Sequence, residues 1–480
     1  MNIERIKKNY YNYYVIYLII INVTFYIVFK IINHDSKFSP YSPKITKLII
    51  GNGKTVKIRI ISDLQLDKKK AFYSNYSIFK DYSHNVYTSL KFFKKNNIDV
   101  IIITGDITNN GKVINYIYFK EIFYLVYNNI HKPILISLMG NHDYFDKETT
   151  PQENRYNFYK CMNSYPYSHY IINNYNFIFW SSDNLNIETG IQDYSWIKST
   201  IEEAKKNMNK KGDPIFIITH IPPKHTIYGS DTFGGHQGIY DFLKNYPEVI
   251  CISGHSHYSL RNIRSIWQGS FTVINTQSLS YVNLEKSFQN FEKVRIDSTK
   301  NDSMGLIAYL NEKSVIFSRV EFSTGEVLDE RWKIDFPIDV NKFKYNFEKR
   351  NKKIKPIFTS DNNIKIEKEY NRETYKRFIV FNSASHCDYV YIYKIVLKKL
   401  KNKKKKNNNL SINNKNKNKV NYDIVILYYY SDYYKNRKLR KEIVKFEIPN
   451  NIEKGKYVVE IYAIDSFNNV SNQIIRVIDI

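Results

Sequence analysis

Residues able to bind a metal ion follow five apolar runs of strand length. In each case a carboxylate, an amide or an imidazole comes within one or two residues of the end of the run. The runs and their followers are VKIRIIS with Asp63, DVIIIT with Gly105-Asp106, PILISLM with Gly140-Asn141-His142-Asp143, PIFIIT with His220, and VICIS with Gly254-His255-Ser256-His257. Because the loops at the carboxyl ends of parallel strands open into one crevice, we expect these side chains to converge.

This donor set favours a particular kind of metal. Carboxylate, amide oxygen and imidazole suit Mn, Fe or Zn, and the lack of thiolate argues against a structural zinc site. Taken singly, Asp63 or Asp106 could cap a helix, and His220 could be a buried, hydrogen-bonded histidine. Their joint occurrence at five strand ends favours a metal centre, and the preceding glycines allow each chain to turn tightly.

The elements that must position these residues form a βαβ pattern. From about residue 54 to 247, strand-length runs alternate with helix-period segments, which predicts an α/β fold with a largely parallel sheet and helices on its faces. The clearest helices are expected at 193–208, with Asp193 as N-cap, and at 79–95. From residue 271, short alternating strands predict antiparallel structure that completes the domain near Pro337.

The five blocks resemble the calcineurin-like metallophosphoesterase family, whose motifs run D-x-H, G-D, G-N-H-D/E, an isolated His and G-H-x-H. The resemblance covers residues 54–337 and implies an αββα sandwich. It is closest to bacterial-type members with a C-terminal fibronectin III-like domain, because GSDTFGG, SGHSHYSLRNIRSIWQGSFTVINTQSLSYVNLE and EIYAIDSFNNVSN look like their sequences.

The resemblance implies two metal ions and an acid catalyst. The implied ligands are Asp63, Gln65, Asp106, Asn141, His220, His255 and His257. Asp106 would bridge a first ion, held also by Asp63 and His257, and a second ion held by Asn141, His220 and His255. His142 would protonate the leaving oxygen or stabilise the transition state, and Asp143 would orient His142 or its loop.

Gln65 departs from the family pattern, since the first block normally ends in His. An amide oxygen is a harder and weaker ligand than imidazole, so the first site is expected to be weak or selective. The cofactors implied are two divalent or trivalent ions, Mn, Fe or Zn, with Mn favoured.

The function implied is a metal-dependent hydrolase that cleaves phosphomonoesters or phosphodiesters by attack of a metal-bridging hydroxide. The rival is a catalytically inactive, membrane-anchored surface protein that uses the same fold as a binding scaffold. Retention of the other ligands together with His142 favours the enzyme. The sequence does not distinguish among phosphoester substrates, and fold analogy cannot supply that specificity.

Three further residues are candidates for substrate binding. His225 and His236 flank the segment KHTIYGSDTFGGHQG, which could form a wall of the active-site mouth. Arg264 could grip a phosphate oxygen through two parallel hydrogen bonds. Each of the three is equally compatible with a surface or structural role.

The N-terminus carries a membrane signal. Residues 15–29 read VIYLIIINVTFYIVF, close to the length that spans a bilayer, after a basic leader. No small-residue cleavage site follows, so we expect residues 1–33 to form an uncleaved signal anchor, joined by a linker at 34–53. The catalytic domain is expected to be extracellular or luminal, although lysines flank both sides of the segment. The alternatives are secretion after cleavage and a buried helix, which should be amphipathic.

The C-terminal part lacks helical periodicity. After a linker at 338–354, residues 355–480 are expected to form a fibronectin III-like β-sandwich, with Tyr457 at the position of a tyrosine corner. The Lys/Asn-rich tract at 398–419 is expected to be a solvated, disordered loop. We see no catalytic group in this module, which is expected to pack or adhere.

Composition limits the remaining possibilities. The chain has 480 residues, 43% of them hydrophobic, enough to fill the cores of several domains. Lys and Arg outnumber Asp and Glu by 72 to 46, giving +26, but ten of the lysines lie between Lys398 and Lys419 in a stretch without an acid, so nucleic acid is not the expected partner. Three cysteines, Cys161, Cys251 and Cys387, make no disulfide framework.

Overall fold

The computed structural model describes most of the chain after residue 37. The described ranges are 38–50, 55–68, 82–128, 132–181, 194–208, 210–232, 234–285, 293–296, 303–328, 330–351, 354–360, 363–371, 374–386, 389–400, 423–435 and 440–480. These residues divide into two compact units: the first comprises 38–260, 265–284 and 293–343, and the second comprises 261–264, 285 and 344–480, with the gaps just given.

The strands are numbered along the chain. They are β1 Thr46–Leu48, β2 Val56–Ile61, β3 Val100–Ile103, β4 Ile134–Ser137, β5 Tyr167–Ile172, β6 Tyr175–Trp180, β7 Ile215–Thr219, β8 Val249–Ser253, β9 Ile266–Gln268, β10 Thr272–Asn275, β11 Val282–Glu285, β12 Lys293–Ile296, β13 Met304–Leu310, β14 Ser314–Glu321, β15 Trp332–Asp335, β16 Lys365–Asn371, β17 Thr374–Asn382, β18 Ile392–Lys399, β19 Asp423–Tyr430, β20 Ile443–Glu447, β21 Lys456–Ile464 and β22 Ile474–Asp479.

The helices are numbered in the same way. They are α1 Ser83–Lys95, α2 Val113–Tyr127, α3 Pro151–Met162, α4 Tyr194–Lys206, α5 Gln237–Leu243 and α6 Phe347–Arg350, with short 3₁₀ helices at His142–Tyr144, Ile263–Ser265, Val340–Lys342 and Asp432–Tyr434. The two helices predicted from the sequence are observed as α1 and α4. The predicted N-cap, Asp193, lies outside the described residues. On α4 the apolar face predicted from the sequence is buried through Ile197, Ile201 and Ala204.

Two mixed sheets form the first unit. One has the order β1-β5-β6-β7-β8-β10-β9, and the other has the order β15-β14-β13-β2-β3-β4. The strands β2, β3 and β4 are parallel, as are β6, β7, β8 and β10. The strands β13, β14 and β15 add to β2 in antiparallel fashion. The α/β fold is confirmed, with one correction: the run FTVINT, predicted as antiparallel, pairs in parallel with β8 and antiparallel with β9.

Each sheet is buried on both faces. Ile61 on β2 packs in a cluster with residues of α1, α2 and α3, whereas Ile58 and Ile60 point to the opposite face and are also buried. On β8, Cys251 packs with residues of α4 and α5, and Ile250 on the other face is fully buried. Since side chains alternate across a strand, each sheet has one face covered by helices and a second face that is also buried.

The second unit is built from antiparallel strands. Its sheets have the orders β16-β17-β20 and β19-β18-β21-β22, and one hydrophobic cluster combines residues from both. The predicted β-rich C-terminal region is therefore confirmed. The predicted loop at 398–419 begins too early, because Lys398 and Lys399 complete β18, and Lys398 forms an ion pair with Glu460 on β21. Residues 401–422 lie outside the described part.

No helix within the described ranges is long and apolar enough to cross a membrane. The segment predicted as an anchor, 15–29, lies outside those ranges.

Candidate metal centre

Strand ends from both sheets meet at one place in the first unit. The imidazole of His220, which follows β7, donates from Nδ1 to the carbonyl oxygen of Thr104 after β3, across 2.8 Å. The backbone nitrogen of His255, which follows β8, donates to Oδ2 of Asp63 after β2, across 3.0 Å. The residues predicted from the five blocks are therefore brought together, as expected for the carboxyl ends of neighbouring parallel strands.

Several of these residues have an unusual backbone conformation. Asp63, Gln65, Asp106, His255 and His257 all have a positive φ, between 45° and 65°. This left-handed region is sparsely populated by residues other than glycine and costs free energy that the surroundings must supply. Such a concentration of strained residues with ligand side chains is typical of a functional site.

Two groups of potential metal ligands share one carboxylate. Asp63, Asp106 and His257 form one group, and Asp106, His220 and His255 form the other. In each group, the ligand atoms lie within 4.8 Å of one another, and all five residues are buried. The grouping matches the first and second metal sites that the resemblance implied, with Asp106 common to both.

Hydrogen bonds on the outer side of each imidazole fix which nitrogen faces the cluster. Nδ1 of His257 donates to the carbonyl oxygen of Tyr281 across 3.1 Å, so Nε2 is left to face Oδ1 of Asp63 at 3.0 Å. Nδ1 of His220 is likewise committed to Thr104, and its Nε2 lies 3.1 Å from Oδ1 of Asn141. A backbone carbonyl on the distal nitrogen is the usual means of orienting a metal-binding histidine.

Two carboxylate oxygens of the cluster face imidazole nitrogens without a well-aligned hydrogen bond. Oδ1 of Asp63 and Oδ2 of Asp106 are buried, with Nε2 of His257 3.0 Å from the first and Nε2 of His220 3.3 Å from the second, and no described residue gives either oxygen a hydrogen bond of good geometry. A buried carboxylate oxygen that lacks a good hydrogen bond is costly, and a cation is the partner that this donor set suits. The residues present therefore fit metal ions on an observation independent of any sequence motif.

The electrostatics of the cluster point the same way. Burial alone would raise the pKa of Asp106, but the positive charge of His220 and His142 outweighs it and holds that pKa far below its usual range. Burial and the neighbouring His220 lower the pKa of His255 to about 3, which keeps its imidazole neutral as a ligand requires. For His220, burial opposes protonation, yet Asp106 and Asp63 raise its pKa to about 9. A metal ion bound between these groups would supply the positive charge that a protonated His220 otherwise gives to Asp106 and Asp63.

Gln65 lies inside the cluster. Its side chain is buried, its Oε1 accepts a hydrogen bond from Oγ of Ser280 across 3.0 Å, and its Nε2 lies 3.4 Å from Nε2 of His257. The amide group thus occupies the place expected from its position in the first block. Whether Gln65 binds metal stays a prediction.

His142 lies at the edge of the cluster, with its side chain 24% exposed. Its backbone nitrogen donates to Oδ1 of Asp106 across 2.8 Å, and its Nδ1 donates to the carbonyl oxygen of Asn109 across 3.0 Å. Its Nε2 therefore faces the cluster, 3.9 Å from Oδ2 of Asp106. This placement agrees with a group that approaches the reacting atoms without binding metal.

Asp143 anchors the loop that carries Asn141 and His142. Its carboxylate accepts hydrogen bonds from the backbone nitrogens of Gly140, Ile107 and Thr108 and from the hydroxyls of Thr108 and Tyr116, at 2.9–3.3 Å. Burial and the charge of Asp106 raise the pKa of Asp143 to about 6. The prediction that Asp143 orients its loop rather than binding metal is consistent with this environment.

Glycine is required at two positions for different reasons. Gly105 has a φ of +102°, which suits the tight turn expected before Asp106. Gly140 has ordinary backbone angles, but a Cβ atom there would overlap the carboxylate of Asp106. At Gly140 the constraint is therefore close packing against a ligand, not the turn proposed from the sequence.

The three candidate substrate residues have other neighbours. His225 is exposed and forms an ion pair with Asp231 at 2.5 Å. His236 caps α5, where its Nδ1 accepts a hydrogen bond from the backbone nitrogen of Ile239. Arg264 belongs to the second unit and lies over the ring of Tyr391, 5.7 Å from its centre. Their roles toward substrate stay predictions, but the intervening segment does reach the site, because a Cβ atom at Gly234 would overlap the ring of His255.

Sequence reasoning missed the residues that support the ligands. Ser280 holds Gln65, Asn109 holds His142, and Tyr281 both accepts from His257 and stacks on its ring at 4.1 Å. Ser280 and Tyr281 directly precede β11. They belong to a polar stretch, TQSLSY, that interrupts a strand-rich region. That polar interruption was the available signal.

The first unit is an α/β domain with Asp, Asn and His at the carboxyl ends of its strands. Residues 56–259 match the family described as Calcineurin-like phosphoesterase. No curated protein matches the chain.

Three solved structures are similar to part of the chain at low sequence identity. GAP50, the anchor in the inner membrane complex of Plasmodium, is 12% identical, with 60% of this chain and 92% of that chain covered and a TM-score of 0.37. The purple acid phosphatase PPD1 from yellow lupin, Lupinus luteus, is 13% identical, with 58% and 54% covered and a TM-score of 0.41. A cold-active protein-tyrosine phosphatase of a Shewanella species is 12% identical, with 61% and 82% covered and a TM-score of 0.25.

Proposed function

We propose that this chain is a phosphoesterase that holds two metal ions, one in each of the two ligand groups that share Asp106. The observation that carries the proposal is the convergence of two buried carboxylates and three buried imidazoles in two groups that share Asp106, where Oδ1 of Asp63 and Oδ2 of Asp106 receive no well-aligned hydrogen bond from the described residues. When bound, two cations would acidify a water molecule and neutralise the oxygens of a phosphoester under attack.

His142 would supply the proton for the leaving group. Because Nδ1 is committed to the carbonyl of Asn109, Nε2 is the atom that can give or take a proton. The imidazolium form would donate from Nε2 to the leaving oxygen as the bond to phosphorus breaks. Asp143 contributes indirectly, by fixing the loop from which His142 projects.

Gln65 supports a preference for Mn. An amide oxygen favours harder ions than imidazole does. Oε1 of Gln65 accepts a hydrogen bond from Ser280, so it would bind an ion through its second lone pair. We therefore expect the first site to depend on added Mn more strongly than a site completed by histidine would.

The substrate is a phosphomonoester or phosphodiester, and the experiment that tests the function also separates these. The full chain is stripped of metal, supplied with Mn, Zn, Fe or Mg, and assayed against a panel of both ester types. Asp106→Asn should abolish hydrolysis, whereas Asp335→Asn, an exposed carboxylate paired with Lys333, should leave it unchanged. Hydrolysis that survives in Asp106→Asn, or that needs no metal, would contradict the proposal.

The C-terminal unit is proposed to be a fibronectin III-like module. Two features support this assignment: sheets of three and four antiparallel strands around one core, and the hydroxyl of Tyr457, which donates to the carbonyl oxygen of Glu453 across 2.9 Å. A tyrosine near the start of a strand that bonds back to the chain just before it is the arrangement of a tyrosine corner.

A membrane anchor at residues 15–29, with the catalytic domain outside or in a lumen, is also a proposal. Its support is the apolar run and the basic leader of the sequence. Protease added to intact cells should digest the catalytic domain. Full protection until the cells are lysed would reverse the orientation.

A further inference from the structure

The second unit contains a cleft that the metal centre does not use. It has a volume of about 420 Å³ and is lined entirely by residues between Ser383 and Phe446. Small-molecule sites in proteins usually measure about 300–1,000 Å³, so the cleft is large enough for one small organic ligand. Its walls differ in chemistry.

One wall is apolar. Val390, Tyr393, Val444 and Phe446 line it, and the rings of Tyr393 and Phe446 lie 5.9 Å apart. The hydroxyl of Tyr393 accepts a hydrogen bond from the backbone nitrogen of Ala384, which holds this ring in place. Val390 and Tyr393 are buried, so the half-buried Val444 and Phe446 offer the surface to an aromatic or aliphatic body.

Basic residues also line the cleft. They are Lys435, Arg440, Lys441 and Lys445, whereas Asp432 is the one acid among the lining residues. A positive excess in a partly apolar cleft favours a ligand that combines an apolar body with negative charge.

Pairing within the protein leaves part of this charge for a ligand. Lys435 is matched by Asp432 at 3.0 Å, and Lys445 is matched by Glu367 and Glu369. Arg440 donates to the backbone carbonyls of Tyr433 and Lys435, which fixes the position of its guanidinium.

Lys441 differs from the other lysines of the cleft. It is exposed, and its ammonium forms no ion pair with any carboxylate in the described part of the chain. It is therefore the cation best placed to meet the charged end of a ligand.

We propose that this cleft binds a small amphiphilic anion, a compound with an apolar body and a single sulfonate, phosphate or carboxylate group. The apolar lining residues would take the body, and Lys441 would take the anionic group. The cleft's limited volume favours one compact molecule over a polymer. Tyr389 and Tyr433 stack on each other at 4.9 Å, which reduces the ring surface open to a sugar.

The test uses naphthalene-2-sulfonate as the probe, titrated calorimetrically into the full chain with EDTA present to keep the metal centre free of cations. Naphthalene-2-methanol, which has the same ring system without the charge, is the matched neutral probe. Lys441→Met removes the charge but keeps most of the stem, and Lys441→Glu reverses the charge. Lys456→Glu, an exposed residue at the start of β21 outside the cleft, has the same net charge as Lys441→Glu.

The sulfonate should bind with one-to-one stoichiometry. Reversing a charge close to an anion should weaken its binding by about tenfold in Lys441→Glu and by roughly threefold in Lys441→Met, with less than about twofold change in Lys456→Glu. The neutral probe should bind more weakly and should not respond to Lys441→Glu. Equal losses in Lys441→Glu and Lys456→Glu, equal affinity for the two probes, or no saturable binding would each overturn the proposal. These readouts do not depend on hydrolysis, so they stand apart from the proposed phosphoesterase activity.

Discussion

Replacing Tyr116 by Phe should destabilise the first unit by about 1.5–3 kcal/mol, the range for a hydrogen bond to a charged group. Tyr116 lies on α2 with its side chain fully buried, and its hydroxyl donates to Oδ1 of Asp143 across 3.0 Å. The ring, which packs edge-on against Phe158, is retained, so the change leaves almost no cavity. Four other hydrogen bonds to Asp143 remain, so its carboxylate keeps most of its partners.

The size of this loss should depend on pH. The folded-state pKa of Asp143, about 6, lies above the ordinary value of 3.8. The folded state therefore holds more protons than the unfolded state between these values. The stability that protonation of Asp143 contributes is full below 3.8 and is lost as the pH rises through 6. Because the hydroxyl of Tyr116 binds the ionised carboxylate best, the effect of the substitution should be larger at about pH 8 than at about pH 5.

The assay is urea unfolding of the full chain in EDTA, followed by tryptophan fluorescence. All four tryptophans, at 180, 196, 267 and 332, lie in the first unit, so the signal reports that unit. Tyr127→Phe is the matched control, because Tyr127 is a buried tyrosine on the same helix whose hydroxyl has no hydrogen-bond partner among the described residues. If Tyr116→Phe costs no more than Tyr127→Phe, or costs the same at both pH values, the reasoning is refuted.

Three further substitutions test the site. His142→Ala should lower the rate toward a poor leaving group by about 10²- to 10⁴-fold while elemental analysis finds the metal content unchanged; loss of both metals would refute the assigned role. Gly140→Ala should reduce metal content measurably, because the added methyl group would displace the carboxylate of Asp106. Unchanged metal content would show that the loop at residue 140 can shift without moving that carboxylate. Gln65→His should tighten the first site and shift the preference from Mn toward Zn or Fe in a metal titration of activity, whereas identical midpoints would place Gln65 outside the ligand set.

The strand ends of the site were predictable from the sequence because each ligand directly follows an apolar run. Asp63 follows β2 and His220 follows β7, and the parallel pairing of the strands on each side then brings such residues to one edge. Local sequence determines both the strand and the residue that ends it. The division of these residues into two ligand groups that share Asp106 came from the family resemblance, and the observed groups agree with it.

The supporting contacts were not predictable, because they join residues far apart in the chain. Gln65 and Ser280 are separated by 215 positions. His142 is held by the backbone carbonyl of Asn109, and a backbone contact does not depend on the type of residue that provides it. His236 illustrates the converse: a histidine near a suspected site proved to cap a helix, a role that depends on where α5 begins. Such contacts depend on the approach of loops in three dimensions, which hydrophobic periodicity does not encode.

The central claim is that Asp106 is shared by two metal ions. The most direct test is the metal-to-protein ratio of the purified full chain, measured by elemental analysis after reconstitution with Mn, for the wild type, Asp63→Ala and Asp106→Ala. The account predicts two ions per chain in the wild type, about one in Asp63→Ala, and far less than one in Asp106→Ala, because only Asp106 belongs to both ligand groups. A wild-type ratio near zero, or equal ratios in the two variants, would contradict it.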